Sequence, residues 1–212
     1  MVENLAPSLR LLLVTDDRLL ARPDPVGTCL AAVAGGVTAI QLRLKQATDR
    51  EYLDLARQLR RAVTIPLYIN DRLDIALAAG ADGVHLGVDD IPPLAARRIV
   101  PPGFVIGASV GADEEVERGL SADYWGVGPL RATTTKADAG GALGWAGARA
   151  LLARAGSRPC VVIGGVQPDD VDAARTEGFA GVAVASGILG AGDVVAAARR
   201  YAEGSTVDSR QR

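Results

Sequence analysis

The chain has 212 residues, of which 49% are hydrophobic but only 4% aromatic, and its formal net charge is −2 at pH 7. This length fits one domain better than two. The near-neutral charge excludes a general electrostatic attraction to nucleic acid or to acidic membranes, so local groups have to hold any anionic ligand.

Short apolar runs alternate with longer amphipathic segments along the chain. Each apolar run is bounded by Gly, Pro, Asp or Asn, which is typical of buried strands. Because aromatic residues are few, we expect a core of Val, Leu, Ile and Ala, as in a parallel sheet covered by helices. The eight predicted strands are residues 9–15, 38–44, 66–70, 83–87, 105–109, 124–128, 160–164 and 181–186.

The segments between the strands show the periodicity of helices. In residues 49–62, for example, Tyr52, Leu55 and Leu59 fall on one face. The other predicted helices are residues 72–79, 94–99, 113–120, 145–155, 169–177 and 192–202. Asp49 and Asp113 are predicted N-caps, because a short acidic side chain accepts hydrogen bonds from the free N–H groups of a helix's first turn.

Eight strands alternating with helices favour an α/β fold, a single (β/α)8 TIM barrel, over an open doubly wound sheet. We expect one domain over residues 1–212, with the polar residues 203–212 as a disordered tail. The N-terminal segment MVENLAPSLR lacks the apolar run of a secretory signal, and the run Leu11–Val14 is far too short to cross a bilayer. A cytoplasmic protein without membrane or nucleic-acid partners is therefore expected, and the sequence does not indicate an oligomeric state.

The cysteines and the single histidine carry no motif of their own. Cys29 and Cys160 lie in apolar surroundings without CxxC or Cys/His spacing. We expect small buried hydrophobes rather than a disulfide, a metal pair or a nucleophile. His85 lies within the fourth strand with no second histidine in the chain, so a structural role is expected in preference to a catalytic one.

In a barrel of this kind the reactive groups lie at the carboxyl ends of the strands. At the end of the second strand, Gln41, Arg43 and Lys45 are spaced by two residues, which places them on one face. An amide and two cations facing a barrel interior are unfavourable unless they meet anions. The row predicts a phosphate or diphosphate clamp, with a solvated strand end and incidental charge as the alternative.

Carboxylates follow the next two strands. Asp71 comes after Asn70 at the end of the third strand, and Asp89 and Asp90 follow the fourth. Carboxylates on neighbouring strand ends predict a Mg²⁺ site, which waters and substrate phosphates would complete. Asp is also common in turns, and capping of the next helix remains an alternative for Asp89.

The later strands end in small and hydroxyl residues. Ser109 ends the fifth strand, and glycine follows the seventh and eighth strands, at Gly164-Gly165 and at Gly187. Glycine lets backbone N–H groups approach a phosphate, and a short helix start adds a favourable dipole. The loop 130–143 contains the segment TTTKAD and two glycines, which predicts a phosphate-binding segment that closes over a substrate, with an ordinary mobile loop as the alternative.

These motifs resemble the thiamine phosphate synthase family. The matching segments are residues 40–45, 69–72, 82–87, 107–109, 124–129 with 133–138, 164–166 and 182–186. They occur in the family's order from the second strand to the eighth. The QLRLK strand and the GVGPLRATTTKAD loop are the more specific of them, whereas the glycine turns are shared by many barrels.

The resemblance implies a transferase of thiamine biosynthesis that joins hydroxymethylpyrimidine diphosphate to thiazole phosphate, giving thiamine phosphate and diphosphate. It implies Mg²⁺ as cofactor, held by Asp71 and Asp90, and small phosphorylated molecules as partners. It assigns the pyrimidine diphosphate to Gln41, Arg43, Lys45, Asn70, Ser109 and Lys136. It assigns the thiazole phosphate to Thr133, Thr135, Gly165, Ala185 and Ser186. Catalysis is expected from the cations Arg43, Lys45 and Lys136, which would neutralise the leaving diphosphate.

The chain departs from the family pattern at Val88, where Gln is frequent, and at Gly111, where His is frequent. One alternative is the related thiazole tautomerase, which acts with a histidine near the fifth strand. Gly111, together with Lys45, Asp90 and Lys136, favours the synthase. Another alternative is a non-catalytic barrel that senses phosphorylated thiamine precursors. A sugar-phosphate isomerase lacks support, because no carboxylate–histidine pair suited to proton shuttling is found.

Overall fold

A computed structural model describes residues 5–132 and 141–204. Eight parallel strands form a closed barrel in chain order, and β8 pairs with β1. The predicted single (β/α)8 TIM barrel is therefore confirmed. The strands are β1 Leu11–Val14, β2 Ala39–Leu42, β3 Leu67–Asn70, β4 Gly83–Leu86, β5 Val105–Val110, β6 Tyr124–Val127, β7 Cys160–Ile163 and β8 Gly181–Val184.

Helices surround the barrel, and most have the predicted places. Within the described residues they are α1 Pro25–Ala34, α2 Asp49–Ala62, α3 Leu73–Ala79, α4 Pro93–Ala96, α5 Val116–Gly119, α6 Gly144–Arg154, α7 Asp170–Thr176, α8 Ser186–Leu189 and α9 Val194–Glu203. The pattern does not predict α1, because the segment PVGTCLAAVA has no polar face to mark an amphipathic helix. Glu203 closes α9, so the predicted tail begins too early, and residues 205–212 lie outside the described residues.

Both predicted aspartate N-caps are wrong. Thr48 caps α2, because its side chain accepts a hydrogen bond from Glu51 N and the Glu51 carboxylate accepts one from Thr48 N. This reciprocal capping box makes Asp49 the first helical residue. Asp113 instead opens a 3-10 turn after Ala112, and α4 begins after Pro92, so Asp89 does not cap a helix either.

The strands separate two apolar regions. Leu12 and Val14 of β1 belong to the cluster inside the barrel, which also holds Tyr68 and Tyr124. The alternate residues of the strands pack outward beneath the helices. The outer region includes Cys29 and Cys160, which are free and buried as predicted, and burial raises the pKa of each thiol to about 12. In the described part of the chain, no helix is both long and apolar enough to span a membrane.

Candidate active site at the carboxyl end of the barrel

A cavity of about 420 Å³ opens at the carboxyl end of the strands. Its wall includes every predicted site residue that the structure describes except Asp90, namely Gln41, Arg43, Lys45, Asn70, Asp71, Ser109, Gly165, Ala185 and Ser186. Its floor is apolar and is formed by residues such as Leu12, Val161 and Ala183. The combination of an apolar floor and a polar rim suits a small molecule with a charged group.

A second cavity, of about 480 Å³, lies at the opposite end of the barrel. Proline, glycine and apolar residues form most of its wall, and its one charged residue is Asp82. The Asp82 carboxylate already accepts a hydrogen bond from Leu67 N at 2.8 Å and pairs with Arg60 at 3.4 Å. We therefore place the chemistry at the carboxyl end, where charged groups line the cavity.

Residues that follow β1 form hydrogen bonds with the backbone of the segment that contains Arg43 and Lys45, at the end of β2. The Thr15 hydroxyl accepts a hydrogen bond from Arg43 N at 2.8 Å and donates one to Arg43 O at 3.0 Å. Asp17 Oδ1 accepts hydrogen bonds from Lys45 N at 2.8 Å and Gln46 N at 2.9 Å. These contacts fix the backbone of the row while leaving the Arg43 and Lys45 side chains at the cavity.

Gln41 and Asn70 form a buried amide pair inside the mouth. Gln41 Nε2 donates to Asn70 Oδ1 at 2.6 Å, and both residues are less than one-tenth exposed. Because each amide keeps further donors and acceptors, the pair can still bind the polar edge of a ligand. Two predicted substrate-binding residues are thus in direct contact.

Asp71 and Asp90 converge above Gly87. A Cβ atom built on Gly87 would lie 3.2 Å from Asp90 Oδ2 and 3.9 Å from Asp71 Oδ1. Gly87 N donates to Asp90 Oδ2 at 2.6 Å, and Asp71 N donates to His85 O at 2.8 Å. Asp71 has a left-handed backbone with φ of 64°, which is uncommon outside glycine and recurs at functional sites.

The two carboxylates have opposite pKa shifts. Burial acts to raise the pKa of Asp71, but the hydrogen bonds from Lys45 and Asp90 outweigh it, so that pKa is lowered. Burial, the hydrogen bond to Asp71 and its negative charge raise the pKa of Asp90 to about 6. Lys45 Nζ lies 2.5 Å from Asp71 Oδ2. One cation thus faces two adjacent acids, an arrangement that a second cation would stabilise.

The donor set suits Mg²⁺. Within residues 5–132 and 141–204, no cluster of three or more His, Cys, Asp or Glu could hold a metal. Asp71 and Asp90 therefore offer carboxylate oxygens but not a complete cage. Mg²⁺ commonly binds through one or two carboxylates and completes its shell with waters and substrate phosphates.

His85 lies in the wall between the metal-binding candidates and Ser109. Its Nδ1 is 3.0 Å from the Tyr124 hydroxyl and its Nε2 is 3.1 Å from Ser109 Oγ. Gly126 leaves room for the imidazole, because a Cβ there would lie 3.1 Å from His85 Cε1. The structural role expected for His85 agrees with these contacts, and they also make it a neighbour of a predicted substrate-binding residue.

The turn after β7 is closely packed against the segment that follows β6. Leu130 N donates to Ile163 O at 2.8 Å, and Arg131 N donates to Gly164 O at 2.9 Å. Gly164 and Gly165 have φ of 91° and 65°, values that favour glycine. Ala185 and Ser186 follow β8 at the same rim, where α8 has only four residues. The backbone of these turns is therefore open to a ligand in the cavity.

Three predicted site residues, Thr133, Thr135 and Lys136, lie outside the described residues. Their roles stay predictions, as does the closing movement expected of the loop 130–143. The predicted clamp of Gln41, Arg43 and Lys45 and both predicted metal ligands lie at one rim.

Residues 11–188 match the family model described as thiamine monophosphate synthase. The chain belongs to this family. A thiamine-phosphate synthase of Azorhizobium caulinodans is 48% identical over 196 residues, which cover 90% of this chain and 92% of that protein. A thiamine-phosphate synthase of Moorella thermoacetica is 45% identical over 177 residues, or 81% of this chain and 84% of that protein.

Solved structures agree with this relationship. The thiamine phosphate pyrophosphorylase from Pyrococcus furiosus superposes with a TM-score of 0.81 and 36% identity, covering 94% of this chain and 96% of that one. A 3-hexulose-6-phosphate synthase gives a TM-score of 0.65 at 17% identity, which shows the shared barrel fold alone. As a member of the thiamine monophosphate synthase family, the chain is a transferase of thiamine biosynthesis, and the predicted resemblance is confirmed.

The two departures from the family pattern have clear positions. Val88 is 41% exposed and lines the cavity, so it offers a methyl surface there. Gly111 N donates to Glu115 Oε2 at 2.6 Å, and a Cβ at residue 111 would lie 2.5 Å from Gly128 O. The local backbone therefore has no room for a histidine side chain without a shift.

Sequence reasoning missed the residues that support the site. Thr15, Asp17 and Glu115 hold the backbone at the cavity rim, yet none belongs to a motif. Thr and Asp are common after strands for reasons of turn geometry alone. Only the position of Asp17 just after a predicted barrel strand was available as a signal, and it does not distinguish a support from an ordinary turn residue.

Proposed function

We propose that the chain joins hydroxymethylpyrimidine diphosphate to thiazole phosphate in a Mg²⁺-dependent reaction that yields thiamine phosphate and diphosphate. The convergence of Asp71 and Asp90 above Gly87, with Lys45 beside them, carries this proposal. It supplies acidic ligands for a divalent cation and a cation for the departing anion at one rim. Family membership supports the same reaction.

The diphosphate end of the pyrimidine substrate lies, in this proposal, between the cations and the carboxylates. Bound Mg²⁺ would help to neutralise the charge that develops on the leaving diphosphate. Asp71 and Asp90 would hold that ion. Arg43 and Lys45 face the same cavity, and their charges stabilise the diphosphate as it departs. Lys136 is proposed as a third cation for the same group.

The pyrimidine ring is oriented by polar groups deeper in the mouth. The contact between Gln41 and Asn70 fixes both amides, so their free donors and acceptors have a set direction. Ser109 is held by His85 at the opposite wall. The apolar floor of the cavity excludes water from the reacting carbon.

The thiazole phosphate lies, in this proposal, at the turns after β7 and β8. Gly165, Ala185 and Ser186 line that side of the cavity and offer backbone N–H groups. Thr133 and Thr135 are proposed to add hydroxyl donors. The phosphate then anchors the thiazole with its ring nitrogen toward the pyrimidine substrate.

The reaction is a dissociative substitution. The bond between the pyrimidine's methylene carbon and the diphosphate oxygen breaks, and the electron pair leaves with diphosphate. The electron-rich aminopyrimidine stabilises the resulting carbocation, and the thiazole nitrogen then donates its lone pair to the carbon. No protein nucleophile is needed, which agrees with the buried cysteines whose thiols have raised pKa values. The protein contributes positioning and electrostatic stabilisation.

Incubation of the purified chain with both substrates tests the proposal. We expect thiamine phosphate and diphosphate in equal amounts, and loss of turnover when EDTA removes divalent cations. Lys136→Ala should lower turnover by about 10²-fold or more, as removal of a charge-stabilising group commonly does. Undiminished turnover by that variant, or turnover in EDTA, would contradict the role of the residue or of the metal respectively.

The tautomerase alternative has less support, because Gly128 O lies where a side chain at residue 111 would begin. Incubation with each thiazole tautomer alone separates the two activities.

We also propose that the chain acts in the cytoplasm on small phosphorylated molecules, without nucleic-acid or membrane partners, in line with its near-neutral charge.

A further inference from the structure

Arg131 and Asp170 form a bidentate ion pair beside the turn after β7. Arg131 Nη1 lies 2.5 Å from Asp170 Oδ2, and Arg131 Nη2 lies 2.8 Å from Asp170 Oδ1. The Asp170 side chain is only 8% exposed, whereas that of Arg131 is 47% exposed. A carboxylate removed from water to this extent needs such a paired geometry.

Both members of the pair also bind the backbone of the turn. Arg131 Nη1 donates to Gly165 O at 3.1 Å, and Asp170 Oδ2 accepts a hydrogen bond from Gln167 N at 2.7 Å. The ion pair therefore binds the backbone of the turn at two points, Gly165 O and Gln167 N. The buried Tyr201 hydroxyl adds a third contact by donating to Val166 O at 3.2 Å.

These contacts orient the peptide unit between Gly165 and Val166. In a trans peptide the C=O and the following N–H point in opposite directions. Because Arg131 binds Gly165 O, the N–H of Val166 is directed away from the ion pair. No hydrogen bond among the described residues uses the N–H of Gly165 or Val166, and both residues line the cavity.

We propose that Arg131 and Asp170 are positioning residues that present the N–H groups of the Gly165–Val166 turn to the phosphate of the thiazole substrate. This inference rests on the proposed function, because it takes that phosphate as the occupant of the turn. The guanidinium makes three hydrogen bonds, two to Asp170 and one to Gly165 O, and its proposed role is to hold the backbone of the turn. The pyrimidine diphosphate, at the β2 and β3 side, does not depend on the pair.

A purely structural ion pair makes a different prediction. If the pair only stabilised the fold, breaking it would lower the melting temperature and change the Michaelis constants of both substrates equally. If the pair positions the turn, breaking it changes the Michaelis constant only of the substrate that binds the turn. The Michaelis constants of the two substrates, measured separately, distinguish these cases.

The test compares Arg131→Ala and Asp170→Asn with the wild type, and uses Arg149→Ala as the matched control. Arg149 makes a 2.8 Å ion pair with Glu177 that joins α6 to the end of α7. We expect KM for thiazole phosphate to rise about tenfold in the two test variants, because a displaced turn weakens its contacts with the phosphate. KM for the pyrimidine diphosphate should stay within about twofold, and the control should change neither constant.

Arg131→Lys refines the test, because lysine keeps the charge but cannot form the two-pronged contact. We expect its KM for thiazole phosphate to lie between those of the wild type and Arg131→Ala. Calorimetric titration with thiazole phosphate, on samples shown by circular dichroism to be folded, measures the same loss without turnover. Equal changes for both substrates, or unchanged thiazole phosphate binding, overturn the inference. If the wild type forms no thiamine phosphate but the variants still lose thiazole phosphate binding, the proposed function fails and the positioning role stands.

Discussion

Lys45 Nζ donates to Asp71 Oδ2 at 2.5 Å, so a proposed catalytic cation occupies an oxygen of a proposed metal ligand. A Mg²⁺ ion bound there, as proposed, would compete with the lysine for the same carboxylate, and the two positive charges would repel each other. The same lysine lines the cavity, where the proposed reaction needs a cation for the leaving diphosphate. If the proposal is correct, Lys45 weakens the binding of Mg²⁺ but assists turnover.

Lys45→Met should strengthen Mg²⁺ binding and weaken catalysis. Removing the competing charge frees Asp71, so we expect metal affinity without substrate to rise several-fold. Turnover should fall by about 10²-fold, because the diphosphate loses a cation that stabilises its developing charge. Calorimetric titration with Mg²⁺ and steady-state kinetics give the two values. A parallel loss of both would show that Lys45 supports the metal site instead of competing with it.

Asp71→Asn and Asp90→Asn should each lower both the affinity for Mg²⁺ and the turnover. An amide carries no charge, so we expect Mg²⁺ affinity and turnover to fall by about 10- to 100-fold. Asp89→Asn is the matched control, because Asp89 is adjacent to Asp90 but exposed, whereas the Asp90 carboxylate accepts a hydrogen bond from Gly87 N and lies beside Asp71. Mn²⁺ titration monitored by electron paramagnetic resonance measures the affinity directly. Equal effects of Asp89→Asn and Asp90→Asn would remove the assignment of Asp90 as a ligand.

The sequence predicts the site well where the barrel's strands determine at which end of the barrel a residue lies. Gln41, Arg43 and Lys45 all line the cavity, as their spacing by two predicts, although β2 ends at Leu42 and the two cations follow it. The parallel barrel brings Asp71 and Asp90 to the same edge. The contact of Arg131 with Asp170 joins residues 39 apart in the chain through side chains that no periodicity relates. Such contacts depend on how far each helix or strand is shifted along its axis and rotated about it, and the apolar pattern does not determine either quantity.

Ser109 and His85 should act as one unit. If His85 Nε2 fixes the Ser109 hydroxyl at 3.1 Å, Ser109→Ala and His85→Phe remove the same interaction. We expect each to lower turnover about tenfold and the double variant to fall little further, which corresponds to a coupling energy of about 1 kcal/mol. A double-mutant cycle on kcat/KM measures this coupling. Strictly additive losses would show that the contact has no part in binding or catalysis.

Gly111→Ala should destabilise the protein although alanine is the smallest possible change. The added Cβ would lie 2.5 Å from Gly128 O, which is a backbone carbonyl directly after β6 and not the end of a flexible side chain. We expect a loss of about 1–3 kcal/mol in the free energy of unfolding, the usual cost of overpacking. Gly192→Ala is the control, since no atom lies within 4 Å of a Cβ at that position. Urea denaturation of both variants measures the difference, and equal stability would refute the steric argument.

The Arg131–Asp170 pair should contribute stability only while Asp170 is ionised. Burial acts to raise the pKa of Asp170, but the hydrogen bond and charge of Arg131 outweigh it, and the pKa falls below its ordinary value of 3.8. A lowered pKa in the folded state means that stabilisation is present above pH 3.8 and is lost as the pH falls through the folded-state pKa. Asp170→Asn should therefore lower the free energy of unfolding at pH 7 and have a progressively smaller effect below pH 3.8. Urea denaturation of wild type and variant across this range checks the sign, because an effect that grew on acidification would mean that the neutral acid, not the carboxylate, stabilises the turn.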